Sequence, residues 1–232
     1  MRRFLMVMLL AASVTAGNAN PISVNGAKLK LVGEKVIITV GPSESKVTGE
    51  YIFQAKGFDG SARNFAQIDM PVILPIKSET GGPTDGPFLL GGENWWSNVA
   101  HPIATVNERG VRPWAALRSG DVFGPDDQRT VQTQLPEGWQ VVFFRFEFPI
   151  YKNENGLSMQ ISYTQPHLPG NVAAYLPILP GYVTKKNYLI NFQPKEGVHF
   201  TPVGTYDIVG QVSGANLSVR PANLQLLKVQ VK

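Results

Sequence analysis

The sequence contains no cysteine and few charged residues, and both absences restrict its class. Without cysteine, no disulfide can stabilise the 232-residue chain, so its stability must come from a packed core. Charged residues make up 16% of the chain, against roughly 25% in an average globular protein. Glycine and proline are plentiful, with 23 and 18 residues. This composition favours an extracytoplasmic β-protein over a cytoplasmic helical enzyme.

Basic clusters and long apolar runs are missing as well. The formal charge is +4, and it falls to +2 if Arg2 and Arg3 are removed with a signal peptide. Because no stripe of Lys and Arg accompanies this small charge, we expect no nucleic-acid binding. After the N-terminus, no segment reaches the ~20 apolar residues that a membrane-spanning helix needs. We therefore expect no stable membrane span once the signal peptide is cleaved.

The N-terminal residues predict export. Arg2 and Arg3 precede an apolar stretch at residues 4–12, and small residues follow up to Ala16 and Ala19. This order is typical of a secretory signal peptide. The alternative, a permanent N-terminal membrane anchor, needs a longer apolar run. The sequence thus predicts a signal peptide at residues 1–19, cleaved after Ala16 or Ala19, and a secreted or periplasmic protein.

The clearest strand pattern lies at residues 139–164. Apolar side chains alternate before and after a polar stretch at residues 152–155, which predicts two strands, each with one buried face. Asn155 and Gly156 tolerate the positive φ of a tight turn, so the two strands are predicted to form a hairpin. The expected buried side chains are Val142, Phe144, Phe146, Phe148, Ile150, Leu157, Met159, Ile161 and Tyr163.

About twelve to fifteen short strands separated by turn signals are expected along the chain. The apolar run at residues 68–76 contains Pro71 and Pro75, which predicts an edge strand or a strand that crosses between sheets. Only residues 121–135 could hold a helical turn, with Asp126 or Asp127 as N-cap. The predicted fold class is all-β: an antiparallel β-sandwich, immunoglobulin-like or jelly-roll-like, with a long irregular middle loop region.

The domain organisation has two interpretations. The favoured one is a single elaborated sandwich at residues 20–232. The alternative is two related β units at about residues 21–90 and 135–232, because both halves contain an alternating strand with a tyrosine followed by a proline-flanked apolar strand. Two copies fall short of a repeat signature, so the single domain is preferred.

The sequence contains no recognisable catalytic or cofactor motif. His101, His167 and His199 lie far apart and lack metal-ligand spacing, so each is interpreted as a loop or edge residue. The tetrad from Ser43 to Lys46 matches Ser-x-x-Lys but lacks the helical context of that motif, and it is interpreted as a polar hairpin loop. We expect no metal and no cofactor. An enzymatic activity stays open, with a non-enzymatic protein favoured.

One aromatic cluster is the candidate ligand-binding site. Trp95 and Trp96 follow Glu93 and Asn94 in a predicted loop, and an exposed Trp beside amides and carboxylates can stack on a sugar or contact a protein. Burial of both Trp side chains at an end of the sandwich is the alternative. Trp114 and Trp139 could extend the surface. Carboxylates that loops could bring together as a catalytic pair are Asp85, Glu93, Asp121, Asp126 and Asp127.

The functional expectation is a secreted or periplasmic non-enzymatic β-sandwich with a binding or assembly role. Its expected partner is an extracytoplasmic protein or a polysaccharide, and the proline-bracketed edge strands could accept a partner strand. The alternative is a carbohydrate-binding or glycoside-hydrolysing protein that uses the Trp95-Trp96 loop and the middle-region carboxylates.

Overall fold

Strands from three sheets surround one apolar core. The computed structural model describes residues 22–23, 29–55, 64–76, 88–89, 100–151, 156–177, 188–211, 216–220 and 224–232. The strands in these residues are β1 (Ile22–Ser23), β2 (Leu29–Val40), β3 (Glu44–Ala55), β4 (Asn64–Pro75), β5 (Phe88–Leu89), β6 (Ile103–Val106), β7 (Arg109–Val111), β8 (Pro113–Arg118), β9 (Trp139–Ile150), β10 (Gly156–Pro166), β11 (Val172–Tyr175), β12 (Tyr188–Pro194), β13 (Phe200–Val203), β14 (Asp207–Gln211), β15 (Leu217–Arg220) and β16 (Leu227–Val231).

The sheets form a two-layer sandwich, which confirms the predicted all-β class. One layer is an eight-stranded sheet in the order β14-β15-β12-β2-β3-β10-β6-β7. The other consists of a five-stranded sheet, β1-β4-β9-β8-β5, and a three-stranded sheet, β11-β16-β13. Buried side chains of all three sheets belong to a single core cluster, so both smaller sheets face the large one. The pairing is antiparallel except between β2 and β12, which run parallel.

The predicted hairpin between β9 and β10 is wrong. β9 pairs with β4 and β8, whereas β10 pairs with β3 and β6 in the other sheet. The chain crosses from one layer to the other between them, and residues 152–155 of the predicted turn lie outside the described residues. Gly156 is already the first residue of β10. The apolar alternation is confirmed, because the predicted faces of both strands are buried in the same core cluster.

The pairing of β4 explains where its two prolines lie. β4 pairs with β9 along its whole length, while β1 pairs only with Ile68 and Asp69. From Met70 onward, no described strand pairs with the other edge of β4. Pro71 and Pro75 lie in this edge stretch, where a missing N–H leaves the pairing with β9 intact. The sequence prediction of an edge position is therefore correct for this half of β4.

Two short helices occupy part of the middle region that was predicted to be irregular. Helix α1 spans Ser119–Val122 and helix α2 spans Pro125–Gln132. The N-cap of α2 is Gly124, so the prediction of an aspartate cap is wrong. The two aspartates after Pro125 lie in the first turn instead, where their charges favour the positive end of the helix dipole.

The helices close a second apolar cluster on the outer face of the five-stranded sheet. Phe123, which follows α1, meets Phe143 of β9 edge to face, with ring centroids 5.0 Å apart. Val131 of α2 is buried in the same cluster. Toward the other end of β9 this cover stops: Arg145 is half-buried and Glu147 is exposed. The outer face of the sheet therefore has a covered apolar half and a polar half.

Candidate functional site

The predicted ligand-binding residues lie outside the described part of the chain. Glu93, Asn94, Trp95 and Trp96 all fall within residues 90–99, of which the structure describes none. The carbohydrate hypothesis built on them therefore stays a prediction.

The two other tryptophans do not form an exposed aromatic surface. Trp139 is buried in the apolar cluster beneath the helices, so the suggestion that it adds to a ligand surface is wrong. Trp114 is half-buried, and its indole Nε1 is enclosed without a hydrogen-bond partner among the described residues. It lies at the irregularity in the β8–β9 register between Pro113 and Ala115.

The described middle-region carboxylates have structural roles. Asp121 Oδ2 accepts a hydrogen bond of 3.0 Å from the Arg118 backbone N–H at the start of α1. Asp126 and Asp127 lie in the first turn of α2. Asp85 lies outside the described residues. Asp121 therefore takes part in capping α1, while Asp126 and Asp127 lie where their charges favour the positive end of the helix dipole.

One histidine connects β3 to the loop before β11 through both of its ring nitrogens. His167 Nδ1 lies 2.7 Å from Asn171 Oδ1, and His167 Nε2 lies 3.0 Å from Ser45 Oγ. Since the Asn171 oxygen only accepts, it assigns the proton to Nδ1, and Ser45 then donates to Nε2. This is the hydrogen-bond order of a serine nucleophile and its base. Ser45 is only 1% exposed, however, so we interpret the chain of bonds as a structural link.

No metal centre is formed by the described residues. Among them there is no group of three or more His, Cys, Asp or Glu side chains that could hold a metal ion. His101 is an exposed loop residue with a φ of 45°. His199 is also exposed.

The free edge of β4 is closed by side chains of β10. Gln165 Oε1 accepts a hydrogen bond of 3.0 Å from the Ile73 backbone N–H, and Gln165 Nε2 donates at 2.6 Å to the Ala174 carbonyl. Tyr163 donates through its hydroxyl to the Pro71 carbonyl, at 3.3 Å. We call this arrangement the capped edge. The Ile73 N–H and the Pro71 carbonyl are therefore bonded and buried, which makes this stretch a poor template for a partner strand.

An ion pair crosses from β4 to β9 at the start of the polar half. Arg145 donates two hydrogen bonds to Asp69, from Nε to Oδ1 and from Nη2 to Oδ2, both at 2.7 Å. Asp69 is 1% exposed, and desolvation raises the pKa of its carboxyl despite the opposing effect of Arg145. The bidentate geometry keeps the pair ionised, and the hydrogen bond to Asp69 in turn raises the pKa of Arg145.

Beyond this ion pair, β9 loses its partner strand on the other edge. β8 pairs with β9 from Arg118, opposite Val142, to Pro113, opposite Phe146. Past Phe146, no described strand pairs with β9 on this side. The chain enters β8 here from β7, which belongs to the eight-stranded sheet, through Arg112. A space therefore opens between the last residues of β9 and the outermost strand of the facing layer.

That space is a pocket of about 320 Å³. We call it the edge pocket, and it is the candidate functional site. Its size lies at the lower end of the range for small-ligand sites. It is lined by Val106, Arg109, Gly110, Val111, Arg112, Glu147, Phe148 and Pro149.

Charged side chains surround the apolar floor of the edge pocket. Arg109 and Arg112 are exposed, and the Arg109 guanidinium lies 4.5 Å from the centre of the Tyr151 ring. The carboxylate of Glu147 accepts a hydrogen bond of 2.7 Å from Gln67 Nε2 on β4. This bond directs the carboxylate toward β4, so the guanidinium groups determine the charge on the β7 side. Planar guanidinium groups are suited to bidentate recognition of carboxylates and phosphates.

A half-buried glutamate with one enclosed carboxylate oxygen lies close to the capped edge. Glu34 lies on the inner side of β2 after an irregularity in the β2–β3 register, and its Oε2 is enclosed without a hydrogen-bond partner among the described residues. Burial raises the pKa of Glu34 well above its usual value. Its charge would in turn raise the pKa values of Tyr163 and Tyr175, which burial raises already. The carboxyl group is therefore protonated over a wider pH range than an exposed glutamate.

The edge pocket was not predicted from the sequence. Its residues were visible in Asn107-Glu108-Arg109-Gly110-Val111-Arg112, where two arginines flank a glycine directly after a possible tight turn. A two-residue turn signal followed by a short strand with basic residues predicts an exposed hairpin edge. Glu147 could not be found in this way, because its place in the pocket depends on where β8 leaves β9.

Comparisons with known proteins add little to this site. No protein-family model matches the chain, and no curated protein matches it. Among solved structures, the chain is similar to an M1 zinc metallopeptidase from Deinococcus radiodurans, with 9% identity, 88% of this chain covered and a TM-score of 0.34. A two-domain M1 zinc metallopeptidase variant bound to L-arginine shows 8% identity, 87% coverage and the same TM-score. The chain spans only 42% of the length of each. Likenesses this distant support no statement about the function of this chain.

Proposed function

We propose that this protein is an exported, non-catalytic binding protein that holds an anion-bearing ligand in the edge pocket. The observation that carries the proposal is the pocket itself, in which Arg109 and Arg112 stand beside an apolar floor formed by Val111 and Phe148. Sites of this kind combine apolar walls with a few placed polar groups that orient the ligand.

A binding role is favoured over catalysis by the environment of the other reactive groups. Ser45 has a hydrogen-bonded histidine but is buried. The described middle-region carboxylates stabilise helix ends. The edge pocket, in contrast, holds exposed cations next to apolar surface, an arrangement that recognises charge and shape.

The pocket is tested by following its backbone amides during titration with small anions. We expect glutarate, tricarballylate and inorganic phosphate to shift the NMR signals of Gly110, Val111 and Glu147 at millimolar concentration. The double variant Arg109→Ala/Arg112→Ala should lose these shifts, because the guanidinium groups are the anion donors. Arg129→Ala, which removes an exposed arginine on α2, is the matched control and should keep them. Shifts of equal size in the double variant would contradict the proposal.

Export is tested separately from binding. The motivation is the basic start and apolar stretch at residues 2–12, followed by Ala16 and Ala19. Fractionation of producing cells, with N-terminal sequencing of the product, should give an extracytoplasmic protein that begins at residue 17 or 20. An uncleaved chain in the cytoplasm would contradict this part of the proposal. Within the described residues, no helix is long and apolar enough to span a membrane.

A further inference from the structure

We infer that the ligand of the edge pocket is a small monocarboxylate with an apolar body, bound by Arg109 at its charged end and by the rim of the core at its apolar end. This inference rests on the proposed function and narrows it from any anion-bearing ligand to one chemical class. Three features of the described residues carry it: the direction of the side chains on β7, the burial of the pocket walls and the charge of Glu147.

The turn between β6 and β7 determines which way Arg109 points. Asn107 and Glu108 have φ values of 47° and 66°, as in a two-residue type I′ turn. Such a turn places Val106 directly opposite Arg109, and the register of the two strands makes them partners. Side chains of directly opposite residues lie on the same face of a sheet. Val106 is 1% exposed and belongs to the core cluster, so Arg109 projects from the face of β7 that turns toward the core.

The apolar walls of the edge pocket are a continuation of the core. Val111 is the partner of the buried Ala104, so it lies on the same face of β7 as Arg109, and it packs against the core cluster. Phe148, on β9 in the other layer, is 2% exposed and belongs to that cluster too. The pocket therefore lies at the rim of the sandwich, with one apolar wall from each layer. An apolar group that enters it is removed from water as a core side chain is.

Arg109 brings a positive charge to this apolar rim. Its guanidinium lies 4.5 Å from the centre of the ring of Tyr151, the residue directly after β9, so the side chain reaches from one layer to the other. Stacking on a ring is compatible with hydrogen bonding to a carboxylate, because the N–H groups of a guanidinium lie in its own plane. A ligand that places its carboxylate at Arg109 can therefore lay its apolar body against Val111 and Phe148.

Glu147 restricts the ligand to a single negative charge. Pro113 of β8 is the partner of Phe146, so the adjoining residues, Arg112 and Glu147, stand opposite each other across the two strands. Opposite charges in such positions attract, so Arg112 chiefly offsets the charge of the Glu147 carboxylate. A second carboxylate on the ligand would approach Glu147, which lines the same pocket, and would lose contact with the apolar walls.

The volume of the pocket limits the length of the ligand. Each molecule of liquid water takes up about 30 Å³, so a volume of about 320 Å³ corresponds to roughly ten water molecules. A linear monocarboxylate of about six carbon atoms has a similar number of non-hydrogen atoms and fills most of this space.

The test is a series of linear monocarboxylates, from acetate through butyrate to hexanoate, titrated into the purified protein and followed by the NMR signals of Val111 and Phe148. We expect the affinity to rise about threefold for each added methylene, because each one removes a similar apolar area from water. Hexanamide keeps the apolar body without the charge, and glutarate adds a second carboxylate. Each of these two should bind at least about fivefold more weakly than hexanoate.

Variants of the protein complete the test. Arg109→Gln should weaken hexanoate at least about tenfold and leave hexanamide unchanged, because it removes the charged contact and keeps part of the aliphatic stem. Arg129→Gln serves as the matched control and should bind as the parent does. If acetate or glutarate binds as tightly as hexanoate, or if Arg109→Gln binds hexanoate as the parent does, the monocarboxylate inference is wrong and the anion pocket stands. If hexanamide binds as tightly as hexanoate, or if no anion shifts the signals, the proposed function itself is contradicted.

Discussion

Among the described residues, part of one edge of β4 and the last residues on one edge of β9 have no partner strand, and the side chains around these two stretches differ. On β4, the Pro71 carbonyl and the Ile73 N–H are bonded by side chains from β10, and two prolines remove N–H groups from the same edge. On β9, the last residues line a pocket together with two arginines. The register places these stretches on opposite edges and toward opposite ends of the β4–β9 pair.

The difference between these edges indicates where the protein binds. Unpaired edges invite unwanted strand pairing, and natural sheets block them with prolines, charges or covering segments. The capped edge follows this rule with buried hydrogen bonds. The edge pocket instead combines apolar surface with Arg109 and Arg112, which select among ligands by charge. We therefore assign protection to the first edge and recognition to the second.

The largest expected effect concerns the ion pair that joins the strands between the two edges. Arg145→Ala leaves the nearly inaccessible Asp69 carboxylate without its partner and should lower the free energy of unfolding by about 3–5 kcal/mol. Urea unfolding followed by circular dichroism measures this loss. The double variant Asp69→Leu/Arg145→Met removes both charges and should recover most of it. A loss below 1 kcal/mol in Arg145→Ala would show that the pair is not buried as described.

The second prediction breaks the capped edge. Gln165→Ala leaves the buried Ile73 N–H and Ala174 C=O without partners, which should destabilise the fold by about 2–4 kcal/mol. Gln160→Ala removes an exposed glutamine from the same strand and should change stability by less than about 0.5 kcal/mol. Equal stabilities of the two variants would mean that Gln165 does not close this edge. Thermal and urea unfolding of both variants provide the comparison.

The third prediction concerns the pH dependence of stability that Glu34, close to the capped edge, produces. Because burial raises the pKa of Glu34, the folded protein holds this proton to higher pH than the unfolded chain does. The stabilisation is complete below the unfolded pKa and is lost as pH rises through the folded pKa, at about 1.4 kcal/mol for each pH unit between them.

Glu34→Gln cannot lose this proton, so its stability should fall less than that of the parent between pH 5 and pH 8. Glu50→Gln replaces an exposed glutamate on β3 and serves as the control, with a pH profile like that of the parent. Urea unfolding at several pH values measures the profiles. If Glu34→Gln shows the parental slope, the carboxyl is not buried in its neutral form.

The smallest expected effect is the change in protein stability when an arginine of the edge pocket is replaced. Arg112→Ala removes an exposed side chain of the edge pocket and should change the free energy of unfolding by less than about 0.5 kcal/mol, while anion binding falls. Thermal unfolding, together with the anion titration, tests this separation of stability from binding. A large loss of stability would place Arg112 among the structural residues and would contradict the assigned role.

Alternation along the sequence predicted the faces of the strands but not their partners. The apolar face of β9 was identified correctly, because alternate large side chains must be buried together. The same alternation cannot distinguish two strands that pair in one sheet from two that face each other across a core. The residues from Asn155 to Gly156 therefore suggested a hairpin where the chain changes layers.

The site was harder to predict than the fold. Arg109, Gly110 and Arg112 are adjacent in sequence, but Glu147 joins them only because β8 leaves β9 at Phe146. Gln165 closes a distant strand through a contact 92 residues away in sequence. Such contacts depend on which strands face one another, which local patterns do not encode. The predicted cluster at Trp95 and Trp96 remains a separate hypothesis.

Residue-specific amide exchange tests the difference between the two edges most directly. In the free protein, the Ile73 amide should be strongly protected, whereas the Gly110 amide should exchange rapidly, because Ile73 donates to the buried Gln165 side chain while Gly110 is exposed on the last described strand of its sheet. Addition of glutarate should slow exchange at Gly110 and leave Ile73 unchanged. If the Gly110 amide exchanges as slowly as that of Ile73 before any anion is added, this edge is already covered and the account is wrong.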